Sequence, residues 1–418
     1  MFFNRDRAKD YMQQCDLQAL VATSPANITY FSGWNLWLDP IIKGYMLQPG
    51  ASSSLALPGY AVVPFEGEPA LVVLPLFAVN AADLWVRDIR VFGPSGLEEK
   101  LTSDQLPEKY RRFHDMLVTT NDVTSSAEAL TSLIEEKGLG SSRIGLEMEG
   151  MAPETLNTLK DKLPRATILD CSNLLRLVRM VKSDYEIKIL TRSAEINEQA
   201  GMETLAESKP GTRLKDMTRS FRIRAAEQDA ALDHFAISPR GLGMATEPDY
   251  ELAEGDVMFV DFGCIYQSCF SDTGLTLALG ELPEPVMDRF ETMHASVIAG
   301  MEAVRPGAKG SSAREAMWQV VAEKGYSASN PHGHGVGLDV RDYPTIVADN
   351  GLRISDDCID MPSDLPFEEN MVFNLEACMF CPGVASVQVE RSFVVTADGC
   401  RPLIPQDRSQ PYNPLLNP

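Results

Sequence analysis

An α/β domain followed by an α+β domain is the fold class this sequence predicts, and three observations predict it. The chain has 418 residues, enough for two domains with cores of their own. Its first part alternates strand-like and helix-like segments. Its second part groups long helical stretches with long strand pairs that double back through tight turns.

In the first part, "LQALVATS" and "PALVVLPL" read as buried strands. "SSAEALTSLIEEKG" reads as a capped amphipathic helix that ends at Gly138. "SRIGLEME", a helix and "ATILDCS" complete an α/β unit. A long helical stretch, "NLLRLVRMVKSDYEIKILTRSAEINEQAGMETL", opens the second domain, and the boundary falls near residues 173–183. Further helices are expected over roughly 213–228, in "PEPVMDRFETMHASVIAGMEAV" and in "SAREAMWQVVAEKG". His294 lies inside one of them and reads as a core or surface histidine. The expected domains are 1–175 and 176–406, with 407–418 as an irregular tail.

Composition narrows the function classes. Apolar residues at 44% and charged residues at 23% are ordinary for a globular protein. A net charge of −22 argues against nucleic acid or an anionic membrane as the main partner. The opening "MFFNRDRAKDYMQQ" lacks a signal-peptide core and no stretch has the apolar length of a membrane span, so a cytoplasmic protein is expected. Eight scattered cysteines read as free thiols. Cys378 and Cys381 form a C-x-x-C with no second pair at zinc-site spacing, and a structural role is expected for them.

Two stretches place acids inside apolar strands. "DVMFVDFGCIYQSCFSDTGLTLAL" reads as a hairpin turning at Tyr266-Gln267, which sets Asp261 opposite Asp272. "VFNLEACMFCPGVASVQVERSFVV" pivots on Gly383 and sets Glu376 opposite Glu390. Like charges facing each other across a strand pair are destabilising. Two such hairpins call for a compensating cation, and a divalent metal is the economical one. "NPHGHGVGLDVRDYP" supplies a nitrogen donor in His334, with His332 two residues earlier as a second functional candidate. Four carboxylates and one imidazole suit a pair of Mn²⁺, Fe²⁺, Co²⁺ or Zn²⁺ ions, which acidify bound water and polarise a carbonyl.

The order Asp261, Asp272, His334, Glu376, Glu390 resembles the "pita-bread" superfamily of creatinase, prolidase and aminopeptidase P. "DLQALVATSPANITYFSGW" is similar to the start of the creatinase-type N-terminal domain, and "LLRLVRMVKSDYEIKIL" to the helix that opens the catalytic domain, with Asp184 where proline is common. The resemblance implies that Asp261 binds one ion, His334 and Glu376 the other, while Asp272 and Glu390 bridge both. It also implies proton transfer at Glu376, and a homodimer in which "GWNLWLDP" approaches the partner's metals, with Trp34 or Trp37 as a pocket wall.

The departures from that pattern bear on the substrate. Met244 and Arg341 stand where proline-specific peptidases carry histidines, and neither can shuttle a proton near neutral pH. Ala377 replaces the usual proline after Glu376, and Gln388 replaces an arginine. Ectoine hydrolase and dimethylsulfoniopropionate lyase resemble this chain in pairing a metal site with altered surroundings. The expected activity is therefore hydrolysis of a C–N bond in a small substrate. A lyase acting on a zwitterionic osmolyte, an Xaa-Pro dipeptidase and a silent binding scaffold are the alternatives. The substrate is expected to carry a carboxylate gripped by Arg341, with Arg240, Met244, Trp34 and Trp37 around it. A tryptophan face in the pocket would favour a zwitterion.

Overall fold

The computed structural model describes residues 1–35, 59–81, 83–93, 103–119, 123–244, 250–326 and 329–416. Trp37 falls outside them. The chain forms two compact units, Met1–Arg179 with Ile354–Met361, and Met180–Arg353 with Pro362–Pro418. The division thus falls between Arg179 and Met180, a few residues beyond the expected 175/176. A later excursion of the chain, from Ile354 to Met361, returns to the first unit. It holds most of a two-stranded ribbon whose strands are Arg353–Ser355 and Asp360–Pro362.

The first unit is built on a six-stranded mixed sheet. Its strands are β1 (Ala19–Ala22), β2 (Tyr60–Pro64), β3 (Ala70–Val73), β4 (Asp88–Val91), β5 (Arg143–Leu146) and β6 (Thr167–Asp170), ordered β4-β3-β2-β1-β5-β6. β1, β2 and β3 are buried throughout, as their unbroken apolar runs require. The helix Ser126–Glu136 lays Leu130, Leu133 and Ile134 on the sheet, and the Ser125 hydroxyl caps it by accepting from the Glu128 amide. Trp34 belongs to this unit and is 7% exposed. Its backbone is pinned by the Thr29 and Ser32 hydroxyls.

The expected single helical stretch is two helices: Ser172–Met180, nearly all of it in the first unit, and Asp184–Ala206 in the second. Ser183 interrupts it, since its hydroxyl caps the second helix at the Glu186 amide. Three strands follow: β7 (Ala231–Ile237), β8 (Val257–Tyr266) and β9 (Cys269–Ala278), a sheet in that order. One face of β8 and β9 is apolar. Met258, Val260, Phe262, Cys264, Leu275 and Leu277 bury against the helices Asp184–Ala206 and Leu214–Ala226. Strand parity then sends Asp261, Gly263, Asp272 and Gly274 to the opposite face.

The other sheet contains β10 (His332–Gly335), β11 (Asp342–Ile346), β14 (Val372–Cys381), β15 (Ala385–Val395) and β16 (Cys400–Pro402), in the order β11-β10-β14-β15-β16; β12 and β13 are the strands of the ribbon. The two sheets are stitched by hydroxyls. Thr276 Oγ1 donates to the Gln388 carbonyl at 3.0 Å, and the Phe259 amide donates to Ser386 Oγ at 2.9 Å. The tail is less irregular than expected around Tyr412, which exchanges backbone hydrogen bonds with β9. All eight cysteines are free.

Candidate metal centre

The first hairpin has a different register from the one expected. Asp261 pairs with Gly274, and Asp272 pairs with Gly263. The turn is Gln267-Ser268, both at positive φ (47° and 68°), so Tyr266 stays in the strand opposite Cys269. Such a left-handed two-residue turn matches the twist of the flanking strands. The predicted opposition of Asp261 and Asp272 is therefore wrong by two positions. A shift of two keeps the face, so the acids become diagonal neighbours on the same side of the sheet.

The two glycines have work there. His234, Gly263 and Asp272 form one row across β7, β8 and β9. A Cβ on Gly263 would overlap the His234 ring and stand 2.6 Å from the Ser271 carbonyl oxygen. Its absence lets His234 and Asp272 lean together over the central strand. His234 Nε2 lies 3.0 Å from Asp261 Oδ1 and 3.4 Å from Asp272 Oδ1. A break in register between Leu232 and His234 leaves Asp233 as an extra residue, and its carboxylate lies 2.8 Å from His234 Nδ1.

The second hairpin pairs Glu376 directly with Glu390. β10 adds its histidines to the same face, His332 opposite Glu376 and His334 opposite Asn374. Glu390 is 1% exposed, and both of its oxygens accept hydrogen bonds: Oε1 from Asn374 Nδ2 at 2.6 Å, Oε2 from Gln388 Nε2 at 3.0 Å. Gly274 leaves the room that the Gln388 amide fills. His332 Nε2 lies 2.7 Å from Glu376 Oε1, while its Nδ1 donates to the Asn330 carbonyl at 3.0 Å. Arg341 NH2 reaches 3.5 Å from Glu376 Oε1 and stays largely exposed.

Not every predicted residue gathers here. Met244 is exposed. Arg240 holds a left-handed backbone (φ 52°), its carbonyl accepts from the Gly383 amide, and its side chain turns to Asp256 at 3.9 Å. The acid nearest to Arg240 thus lies outside the cluster.

The electrostatics suit a cation. Burial pushes Glu390 well up, and Asp272, Asp261 and Glu376 push it further. Burial also raises Asp261, against the hydrogen bond from His234. Burial opposes charge on His234, but hydrogen bonds to Asp233, Asp261 and Asp272 outweigh it and carry the imidazole up to about 12. Burial lowers His334, whose Nδ1 donates to the Gly335 carbonyl at 3.0 Å, leaving the Nε2 lone pair directed at the acids.

Among the described residues, two donor groups fit divalent ions: His234, Asp261 and Asp272 in one, Asp272, His334 and Glu390 in the other. Asp272 belongs to both. Donors on one ion at about 2.0–2.2 Å stand roughly 3–3.5 Å apart, the spacing of His234 from the two aspartates. Glu376 stands beside the second group, 4.0 Å from His334 Nε2.

His234 and Asn374 were missed in the sequence. Both carried a signal. Asn374 is a polar residue in an apolar strand, two positions from Glu376 and therefore on its face. His234 follows an aspartate inside a strand-like run, "LDHFAI".

Residues 188–397 match metallopeptidase family M24, and residues 5–181 match the creatinase/prolidase N-terminal domain. The chain is similar to the Xaa-Pro dipeptidase of Pyrococcus horikoshii, 22% identical over 410 residues and 96% of each chain. It is also similar to the uncharacterized peptidase YqhT of Bacillus subtilis, 26% identical over 274 residues, 63% of this chain and 73% of that one. The solved X-Pro aminopeptidase of Thermotoga maritima shares the fold, with a TM-score of 0.72 at 18% identity over 96% of this chain and 99% of that one. None of these three is a lyase, and the lyase alternative gains no support from them. The chain belongs to metallopeptidase family M24, carries a creatinase/prolidase N-terminal domain ahead of the catalytic one, and is a metal-dependent hydrolase.

Proposed function

We propose that this hydrolase cleaves a C–N bond next to a carbonyl in a small substrate that bears a free carboxylate. The observation that carries this reading is Arg341, whose guanidinium stands exposed at the rim of the acid cluster, 3.5 Å from Glu376. A guanidinium fork grips a carboxylate through two parallel hydrogen bonds and takes no part in proton transfer.

Asp261, Asp272, His334, Glu376 and Glu390 would hold two divalent ions, with His234 added on the Asp261 side; Mn²⁺, Fe²⁺, Co²⁺ and Zn²⁺ all suit that donor set. Ions there would acidify the attacking water and polarise the scissile carbonyl. Glu376 takes the proton that the attacking water loses as its oxygen bonds to the carbonyl carbon. His332 is the nearest group to replace the shuttle histidines missing at Met244 and Arg341. Its Nδ1–H is held by the Asn330 carbonyl, so Nε2 is the atom that exchanges protons with Glu376. His332 Nε2 then protonates the leaving nitrogen as the C–N bond breaks, and the proton on Glu376 restores it.

The test compares hydrolysis of dipeptides with a free C-terminal carboxylate and the same dipeptides amidated, with Mn²⁺ or Co²⁺ supplied. Free carboxylates should be preferred, by about ten-fold or more in kcat/KM for a lost charge-assisted pair. Equal rates would remove Arg341 from substrate recognition. Xaa-Pro dipeptides belong in the panel, because the Pyrococcus horikoshii relative is an Xaa-Pro dipeptidase.

A further inference from the structure

Asn374 is fully buried, and its side chain has one possible orientation. Its Oδ1 accepts from the His334 amide at 3.1 Å. A flipped carboxamide would set NH₂ against that N–H, two donors facing each other. The NH₂ group therefore points the other way. There Nδ2 lies 2.6 Å from Glu390 Oε1, 3.1 Å from His334 Nε2 and 3.3 Å from Asp272 Oδ2. Glu390, His334 and Asp272 are the members of the second donor group.

An amide NH₂ donates hydrogen bonds and offers a metal no lone pair. The His334 lone pair it touches is the one an ion requires, since Nδ1–H is committed to the Gly335 carbonyl. The first donor group is arranged differently. His234 is itself a ligand type, and Asp233 on Nδ1 holds its Nε2 toward Asp261 and Asp272. Gly263 supplies the space for that ring.

We propose that Asn374 is an internal competitor for the second ion: its two N–H bonds are shared among three of that ion's donors, and an ion must displace those hydrogen bonds to bind. Asn374 reaches the His234-side group only through Asp272, the donor common to both groups. The inference rests on the metal-centre reading and is independent of which substrate is cleaved.

The experiment strips the full-length protein with a chelator and titrates it with Co²⁺ alone, following bound ion by equilibrium dialysis and d–d absorption, without substrate. The wild type should fill one position first and the second at least ~10-fold more weakly, the scale of one or two hydrogen bonds. Asn374→Ala should tighten the second event by about ten-fold and change the first much less, since Asn374 touches only the shared Asp272 there. Asn374→Asp keeps the side-chain shape and the acceptor for the His334 amide while replacing NH₂ with a ligand oxygen, so it should tighten the second event further. It also covers the case in which the alanine variant misfolds. His234→Ala should weaken the first event and spare the second. Equal affinities in the wild type, or a second event that neither Asn374 variant tightens, would overturn the proposal. A failed peptide assay would count against the substrate reading and leave these binding results untouched.

Discussion

The hairpins β8–β9 and β14–β15 each bring two acids to one face, and they do so by different means. In β14–β15 the acids are direct partners, Glu376 across from Glu390, and neighbouring amides from Asn374 and Gln388 hold Glu390 in place. In β8–β9 each aspartate sits across from a glycine, and the space is filled from outside the hairpin by His234 and Gln388. One hairpin supports its carboxylates with hydrogen bonds. The other supports them by leaving room. Chemistry gained by subtraction is harder to see in a sequence, because a glycine in a strand states nothing about who fills the gap.

The largest expected effect comes from the residue common to both donor groups. Asp272→Ala should lose both ions and lower kcat/KM by roughly 10³-fold or more, the scale of losing the metal's electrostatic contribution. Elemental analysis of the purified variant checks it, and full ion content would break the assignment of Asp272 as the bridge.

Next is Gly263→Ala, which tests support by empty space. The added methyl meets the His234 ring and the Ser271 carbonyl, so about 1–3 kcal/mol of stability should be lost along with affinity on the His234 side. Denaturant unfolding and Co²⁺ titration measure the two effects. An unperturbed Co²⁺ titration would show that His234 does not depend on the gap.

A smaller effect concerns pH in chelator-stripped protein. Glu390 is raised well above its ordinary value, by burial first and then by its acidic neighbours. A raised carboxyl binds its proton more tightly when folded. Its contribution to stability is complete below the unfolded value of about 4.3 and is lost as pH rises toward the folded value. Glu376, which hydrogen bonding and charge from His332 hold down against burial, works the other way, but only under acid conditions. The stripped protein should therefore melt at lower temperature as pH climbs from about 5 to 8, and saturating Co²⁺ should flatten that slope. Parallel slopes with and without the ion would mean that the acids are not its ligands.

The smallest effect is at the rim. Arg341→Lys keeps the charge and loses the fork, so KM should rise by about ten-fold while ion content stays constant. Unchanged kinetics would reduce Arg341 to a solvated charge.

The legible part of this protein was local. Alternating apolar residues placed β8, β9, β14 and β15, and Ser125 and the run after it announced a capped helix. Four acids in apolar strands and a histidine between glycines announced a cation, because such charges need an answer wherever the chain puts them. The second register was readable because Gly383, at φ 78°, marks its turn. The first was misread because Gln267-Ser268 carries no glycine or asparagine to announce a left-handed turn.

What only the tertiary structure decided is which distant side chains share the space. His234 lies 27 residues before Asp261 and reaches it over Gly263; Asn374 sits among donors from β9, β10 and β15. Arg240 was expected at the substrate and Trp34, by resemblance, near a partner's metals; in this chain one side chain turns to Asp256 and the other is buried in the first unit. The physical reason is range. Strand parity and turn chemistry act over a few residues and are written in neighbouring letters. Hydrogen bonds between sheets, and the volume a missing Cβ leaves behind, exist only once the sheets have met.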